Sequence, residues 1–319
     1  MGEHSSIEWC DATFNAWEGC EKVSPACKNC YAETRAIRWG HSSGGKHLPL
    51  WGPGSVRKFR SDAYWREPLK WNRDAARAGG RHRVFCMSLG DVFEVLPDDH
   101  PDAVAMDRAR QRLWNLIERT ANLDWLLLTK RPENLCLAGA MGVPLPSNVW
   151  LGTTVENQET ADERIPHLLR VPARVRFLSC EPLLAPVRLD AMLLENDACG
   201  ECAGDIEYDA FTASASCGCT VEGPEPIDWH RLDWVIAGGE TGPSARPSHP
   251  DWFRSLRDQC AAADVPFFFK QWGEHKPEYR RDPKAFGLPL VERMVRVGKK
   301  AAGCELDGDT WKQFPQVTL

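Results

Sequence analysis

Six short apolar runs recur along the chain, and they constrain its fold more than any other feature of the sequence. They are rich in β-branched and aromatic residues and lack polar alternation, which is typical of strands buried on both faces of a parallel sheet. The runs are Val84–Ser88, Trp125–Thr129, Val149–Thr153, Val175–Ser179, Trp234–Gly238 and Pro266–Lys270. An earlier run, Ile7–Phe14, is interpreted as the first strand.

Helical patterns fall between several of these runs. Asp102–Ala121 and Asp251–Ala263 carry apolar residues at helical spacing, and Asn157–Arg170 is a weaker helical segment that contains Pro166. Alternation of strands and helices along 319 residues predicts an α/β fold. We expect a partial (β/α) barrel of six to seven strands, with a small cysteine-rich insertion.

The predicted domain organisation follows this rhythm. Residues 1–185 form the first part of the barrel and contain a cysteine loop at 20–30. Residues 186–230 interrupt the alternation between the fifth and sixth strands, and they are too many for a plain loop. Residues 231–319 complete the barrel and add a C-terminal extension.

Polar side chains follow every run at the point where the strand is predicted to end. Barrel enzymes build their sites from the carboxyl ends of strands, so we expect these residues to share one rim. Some could instead cap helices, a role that suits Asp91 and Asn157. The candidate rim residues are Ser88, Asp91, Lys130, Arg131, Thr153, Thr154, Glu156, Glu181, Gly238, Gly239, Glu240 and Lys270.

The cysteine loop has the spacing C-x6-C-x2-C, formed by Cys20, Cys27 and Cys30. Short spacings of this kind favour metal binding over disulfides in a cytosolic chain. Structural zinc takes four protein ligands, whereas three thiolates suit a four-iron cluster with one free iron. Two alternatives stay open: a zinc site that borrows a distant ligand, and cysteines without a ligand.

A second cysteine set lies in the insertion. Two close pairs of thiols and an adjacent glycine are typical of a structural zinc site. A second iron–sulfur cluster and free cysteines are the alternatives. The predicted zinc ligands are Cys199, Cys202, Cys217 and Cys219.

Charge and hydropathy exclude two classes of protein. The net charge of −6 and the pI of about 5.9 do not fit a protein that coats DNA without specificity. No apolar run is long enough to cross a bilayer, and the first residues do not form a signal peptide. We therefore expect a cytoplasmic protein without a membrane partner.

The cysteine loop and the rim together resemble two known groups of proteins. A three-cysteine loop at the mouth of a β/α barrel resembles the radical S-adenosylmethionine superfamily, whose usual loop is C-x3-C-x-aromatic-C. In this sequence the first gap is six residues long, and Asn29 stands at the position of the aromatic residue. The chain is more specifically similar to a phage-associated three-cysteine-motif family of unknown function. The matching blocks are Ile7–Asn15, Gly19–Glu33, Leu128–Pro132, Trp150–Glu156, Ser179–Pro182, Val235–Pro243 and Pro266–Gly273.

This resemblance implies an enzyme with a [4Fe-4S] cluster that cleaves S-adenosylmethionine to a 5′-deoxyadenosyl radical, served by an electron donor. Its phage association points to modification or repair of a nucleotide, DNA or RNA. For the cofactor, the resemblance implies methionine binding by Ser88 and Asp91 and ribose binding by Thr153, Thr154 and Glu156. It implies adenine or substrate binding by Gly238, Gly239 and Glu240. For the substrate, it implies phosphate binding by Lys130 and Arg131 and catalysis by Glu181 and Lys270. The alternatives are a non-catalytic nucleic-acid-binding protein with zinc or iron–sulfur sites, and a barrel hydrolase that uses the carboxylates.

Overall fold

The computed structural model describes most of the chain. The described residues are 2–38, 42–43, 46–47, 49–135, 145–189, 205–209, 214–218, 232–280 and 291–317. Within these ranges, no helix combines the length and the apolar character that crossing a bilayer requires.

The strands and helices alternate along most of the chain. The strands are β1 (Ala12–Phe14), β2 (Trp17–Glu18), β3 (Ser42–Ser43), β4 (Lys46–His47), β5 (Lys58–Phe59), β6 (His82–Cys86), β7 (Leu123–Thr129), β8 (Val149–Thr154), β9 (Val175–Cys180), β10 (Asp205–Asp209), β11 (Ser214–Gly218), β12 (Trp234–Gly238), β13 (Phe267–Gln271), β14 (His275–Arg280), β15 (Val291–Arg296), β16 (Glu305–Leu306) and β17 (Asp309–Thr310). The helices are α1 (Tyr31–Arg38), α2 (Asp62–Trp65), α3 (Glu67–Arg77), α4 (Ala103–Glu118), α5 (Gln158–Leu169), α6 (Pro250–Ala262) and α7 (Lys299–Ala302).

Seven strands form the main sheet, in the order β1-β6-β7-β8-β9-β12-β13. Every neighbouring pair in this order is parallel. Parallel neighbours need crossover connections, and α4, α5 and α6 supply three of them. The predicted partial (β/α) barrel of six to seven strands is therefore confirmed.

The predicted strand positions are accurate in the centre of the sheet and poor at its start. Trp234–Gly238 has the predicted bounds, but only Ala12–Phe14 of the predicted strand Ile7–Phe14 is a strand. The run Val84–Ser88 ends early, since Met87 adopts a φ of 64° and turns the chain out of the sheet. The helix at Asn157 is confirmed, with a capping box between Asn157 and Thr160.

The two faces of the main sheet bury different side chains. One face packs against the helices, as Val84 and Cys86 do. The opposite, concave face carries Phe85, Phe177, Trp234 and Phe268, and Trp9, which precedes β1, packs on them. We call these five buried rings the inner aromatic layer. The Trp9 and Phe85 ring centroids are 4.5 Å apart.

Most of the strand residues of the inner aromatic layer lie in the amino-terminal half of their strands, since Trp234 begins β12 and Phe268 is the second residue of β13. Along β9, the inward positions are Val175, Phe177 and Ser179, so side chains become polar towards the carboxyl end. The aromatic rings therefore fill the base of the half-barrel and leave its carboxyl end for a cavity.

A C-terminal segment covers the edge strand β13. Phe269 N donates to Trp311 O over 2.8 Å, and Gln313 N donates to Phe267 O over 3.2 Å. Phe314 then packs on the inner aromatic layer, with its ring centroid 5.2 Å from that of Trp234. The segment thus protects the edge from pairing and seals the base of the half-barrel.

The cysteine-rich insertion contains an antiparallel pair of strands, β10 and β11, in which Asp205 pairs with Gly218. Cys217 belongs to β11, and Cys199, Cys202 and Cys219 lie outside the described residues. The zinc site stays a prediction.

Candidate active site

A cavity of about 560 Å³ lies at the carboxyl ends of the main-sheet strands. Its walls combine the cysteine segment with the rim that follows the strands, which is the arrangement expected of a barrel site. The predicted residues that line it are Cys20, Cys27, Cys30, Ser88, Asp91, Lys130, Arg131, Thr154, Glu181, Gly239, Glu240 and Lys270. Thr153, Glu156 and Gly238 are not part of its lining.

The cysteine segment is built from short elements beside this cavity. Gly19 begins it with a φ of 115°, and a Cβ there would lie 2.7 Å from Leu50 O, so only glycine fits. The backbones of Cys20 and Trp51 form an isolated parallel β-bridge. Cys27 lies in a 3₁₀ turn, Pro25–Asn29, and Cys30 precedes α1.

Arg131 fixes the first part of the cysteine segment. Its Nη1 lies 3.4 Å from Cys20 Sγ and 3.2 Å from Asp91 Oδ2, and its Nη2 donates to Glu21 O over 3.0 Å. Its side chain is 8% exposed. Sequence reasoning assigned this guanidinium to a substrate phosphate, but the structure engages it with the cysteine segment.

Glu94 is a buried partner that sequence reasoning missed. It accepts from Arg57 Nε and Nη2 over 2.8 Å each, from Glu21 N over 2.8 Å and from Arg131 Nη2 over 3.3 Å. Buried charges need such pairing, since an unpaired one is costly. A carboxylate within the apolar segment 92–96 was the signal that could have revealed it.

Asp91 has its oxygens occupied by protein donors. They accept from Thr129 Oγ1 at 2.8 and 3.0 Å, from Lys130 N at 3.0 Å, from Arg131 at 3.2 Å and from Phe93 N at 3.0 Å. The residue thus ties the end of β7 to the turn after β6, and its carboxylate is not free in the way that binding a methionine amino group requires.

Ser88 belongs to the same turn. Its side chain exchanges hydrogen bonds with Asn15, whose Nδ2 donates to Ser88 Oγ over 3.1 Å. Its carbonyl accepts from Tyr31 Oη over 2.5 Å. The turn is therefore connected to both β1 and the start of α1.

A clasp of three residues, Asn29, Glu240 and Arg246, holds the 3₁₀ turn. Asn29 Nδ2 donates to Glu240 Oε2 over 3.0 Å, and Arg246 donates to both oxygens of Glu240 at 2.5–2.9 Å. Arg246 Nη2 also donates to Pro25 O over 3.0 Å. Burial would raise the pKa of Glu240, but the bonds from Arg246 and Asn29 outweigh it and hold the pKa below its ordinary value of 4.5.

Glu156, two residues after the end of β8, supports the same turn. Its Oε1 accepts from Ser24 Oγ over 2.6 Å and from Arg164 Nη1 over 3.1 Å. At the end of β8, Thr153 donates to Thr129 O over 3.1 Å, while Thr154 accepts from Lys130 Nζ over 3.2 Å. Glu156 and Thr153 thus have structural partners, whereas Thr154 and Lys130 face the cavity.

Glu181 and Lys270 form the polar floor of the cavity. Lys270 Nζ lies 3.2 Å from Glu181 Oε1 and 3.3 Å from Oε2, and Trp9 Nε1 donates to Oε2 over 3.3 Å. Gly238 gives the carboxylate room, since a Cβ there would lie 2.7 Å from Oε1. The two predicted catalytic residues are therefore paired with each other.

The lining of the cavity includes all three thiols of the cysteine loop, Cys20, Cys27 and Cys30. Among the described residues, no three His, Cys, Asp or Glu side chains are grouped to hold a metal ion. A four-iron cluster takes each thiolate on a different iron, and three thiols on one cavity wall suit it. Burial, with the nearby Glu94, raises the pKa of the Cys20 thiol to about 12, so binding of iron would displace a proton.

Comparison with known proteins gives a family. No curated protein matches the chain. Among solved structures, a spore photoproduct lyase variant with a dinucleoside spore photoproduct is weakly similar, with a TM-score of 0.40 and 10% identity over 93% of this chain and 73% of that chain. A family model matches residues 4–315, nearly the whole sequence. The chain therefore belongs to the family described as protein of unknown function (DUF5131).

Proposed function

We propose that this protein is a radical S-adenosylmethionine enzyme that modifies or repairs a nucleotide or nucleic acid. The observation that carries the proposal is the placement of Cys20, Cys27 and Cys30 on the wall of one cavity at the carboxyl end of a parallel half-barrel. Three cysteine ligands leave one iron of a [4Fe-4S] cluster open. When bound and reduced, a cluster of this kind supplies one-electron cleavage of S-adenosylmethionine and hydrogen abstraction from the substrate.

The protein's own residues position the cysteine ligands. Arg131 brings a positive charge to 3.4 Å from Cys20 Sγ, which favours the thiolate that iron requires. The Asn29–Glu240–Arg246 clasp and the Glu156–Ser24 bond fix the turn that carries Cys27. Preorganised ligands are a general requirement of metal sites.

The rest of the cavity would hold the cofactor and the substrate. Ser88, Thr154 and Gly239 line it and offer hydroxyl or backbone groups to S-adenosylmethionine. Lys130 reaches Thr154 and offers a cation to a substrate phosphate. Glu181 and Lys270, at the floor, are assigned to proton transfer or substrate contact. An electron donor completes the reaction.

The test is anaerobic reconstitution followed by measurement of iron, sulfide and zinc. We expect about four iron and four sulfide per chain, and 5′-deoxyadenosine on reduction with S-adenosylmethionine. Cys27→Ala should lose the iron, whereas Cys304→Ala, which removes a partly exposed thiol that is not part of the cavity lining, should keep it. Protein that stays iron-free, or that takes up zinc at the cysteine loop, would contradict the proposal and favour the non-catalytic alternative.

The insertion receives a separate proposal. Cys199, Cys202, Cys217 and Cys219 would bind one structural zinc, because two close thiol pairs provide a tetrahedral ligand set. Replacement of Cys199 by Ser should remove about one zinc per chain and leave iron at the cysteine loop unchanged. Equal zinc content in both proteins would contradict this assignment.

A further inference from the structure

The floor of the cavity contains an acceptor that lacks a partner. Glu181 Oε2 accepts from Lys270 and Trp9, but Oε1 is buried and has no hydrogen-bond partner among the described residues, although Lys270 Nζ lies 3.2 Å away. A buried polar atom without a hydrogen bond costs free energy, and natural proteins keep few of them. The Glu181 carboxylate therefore has capacity for a donor from a ligand.

A glycine packs against this acceptor. A Cβ on Gly238 would come within 2.7 Å of Oε1, so glycine at the end of β12 lets the carboxylate take its position. Glu181 and Lys270 also adjoin the inner aromatic layer, since Trp9 Nε1 donates to Glu181 and the Trp9 ring centroid lies 6.0 Å from Lys270 Nζ. The floor thus presents one acceptor and one donor, side by side, on an aromatic base.

Part of the cavity lining is apolar. Ile7, Phe85, Leu128 and Pro182 belong to it. Small-molecule sites commonly combine apolar walls with a few placed polar groups. A flat ring with an N–H donor next to an acceptor would match both the walls and the floor.

We propose that Glu181 and Lys270 bind the Watson–Crick edge of a substrate nucleobase. Each base carries a donor adjacent to an acceptor on that edge, and enzymes that act on a base read it there between apolar or aromatic groups. The Glu181 carboxylate accepts from the ring or exocyclic N–H, and Lys270 Nζ donates to the neighbouring oxygen or nitrogen. This inference deepens the proposed function, because it names the part of the substrate that enters the cavity.

Nucleoside binding to the anaerobically prepared protein tests the inference without turnover. Saturation-transfer NMR with adenosine, guanosine, cytidine and thymidine should show the strongest transfer to base protons for at least one nucleoside. Ribose 5-phosphate, which lacks a base, should not bind. Equilibrium dialysis then gives the affinity of the best nucleoside for each variant.

Two substitutions remove one member of the floor pair each. Glu181→Gln and Lys270→Gln should each weaken binding of that nucleoside at least tenfold. Glu163→Gln and Lys300→Gln, which neutralise exposed residues that are not part of the cavity lining, should stay within twofold. Near-ultraviolet circular dichroism checks folding, and the NMR result on the unchanged protein stands independently of any variant.

Three outcomes would overturn the inference: no nucleoside binds, ribose 5-phosphate binds equally well, or only adenosine binds and S-adenosylmethionine displaces it. The last outcome would assign the floor to the adenine of the cofactor. Iron and sulfide are measured on the same samples, which separates the two proposals. Iron-free protein that binds a nucleoside contradicts only the proposal that the protein is a radical enzyme. Iron-loaded protein that binds no nucleoside contradicts only the proposal that Glu181 and Lys270 bind a nucleobase.

Discussion

Gly239 shows how closely the rim is packed at the scale of one residue. A Cβ at this position would lie 1.9 Å from Trp272 O, a backbone atom that cannot move without moving β13. Glycine here is required by the close approach of two chain segments, and it precedes the clasp residue Glu240. Sequence reasoning associated this glycine with cofactor binding, and the packing supplies a second reason for it.

Gly239→Ala is therefore expected to destabilise the protein by about 1–3 kcal/mol, the usual cost of overpacking. Urea denaturation followed by circular dichroism measures the change. Gly80→Ala is the matched control, since a Cβ there meets nothing within 4 Å. Equal stabilities for the two variants would show that the segment after β12 can shift to admit a methyl group.

The Glu240 carboxylate predicts a dependence of stability on pH. Its folded pKa lies below the ordinary 4.5, because hydrogen bonds from Arg246 and Asn29 outweigh burial. The unfolded chain therefore binds the proton more tightly, and the stabilisation is complete above pH 4.5 and is lost as the pH falls through the folded pKa. The free energy of unfolding should differ most between wild type and Glu240→Gln at neutral pH, and the difference should shrink in acid. A difference that is constant with pH would contradict the pairing.

At the scale of elements, the 3₁₀ turn Pro25–Asn29 is held from outside as well as by its own backbone hydrogen bonds. Ser24 and Asn29 flank the two ends of the turn, and each donates to a carboxylate from a different strand end, Glu156 and Glu240. A five-residue turn has little stability alone, so the sheet sets the position of Cys27.

Loss of the clasp should make the turn mobile. In metal-free protein, Arg246→Ala is expected to raise the rate of maleimide labelling at Cys27 and Cys30 several-fold, as read by mass spectrometry of peptides. Arg254→Ala provides the control, because Arg254 pairs with Asp251 and Asp307 instead. Unchanged labelling in Arg246→Ala would mean that Glu156 and Arg131 hold the segment without the clasp.

At the scale of the whole molecule, the half-barrel is closed at its base by residues 311–314. Phe314 packs on Trp234 and Phe268, and the Arg83 guanidinium lies 4.1 Å from its ring centroid. The last described segment thus connects the edge strand β13 with β6, which lies near the opposite edge of the main sheet.

Phe314→Ala should lower the free energy of unfolding by about 1–2 kcal/mol, less than the 3–5 kcal/mol typical of a fully buried phenylalanine, because its ring is only partly buried. Thermal and urea denaturation measure the loss, and Val317→Ala serves as a milder comparison in the same segment. Nucleoside binding should be retained, since the cavity lies at the other end of the strands. A variant as stable as wild type would show that the base is closed by other contacts.

The sequence predicts the main sheet well because buried parallel strands have a local signature. Trp234–Gly238 is apolar on both faces, and its bounds could be read directly. The hydrogen-bond and ion-pair partners of the polar residues could not be predicted from the sequence, since they are determined by contacts across the sheet. Asp91 meets Thr129 and Arg131, and Arg131 meets Cys20, which is more than a hundred positions away in the chain. Most of the predicted rim residues line the cavity, but their charged groups are largely paired with each other.

The Glu94 carboxylate has a consequence for attempts to transfer the cysteine segment to another scaffold. This one buried carboxylate accepts hydrogen bonds from the side chains of Arg57 and Arg131 and from the backbone N–H of Glu21. Three distant segments of the chain are therefore bound to the same side chain. A graft of residues 19–31 alone would transfer the three thiols without the side chains that hold the cysteine segment in position. Arg57, Glu94 and Arg131 would have to be transferred together with residues 19–31. Redesign of this site therefore involves four separate segments of the chain.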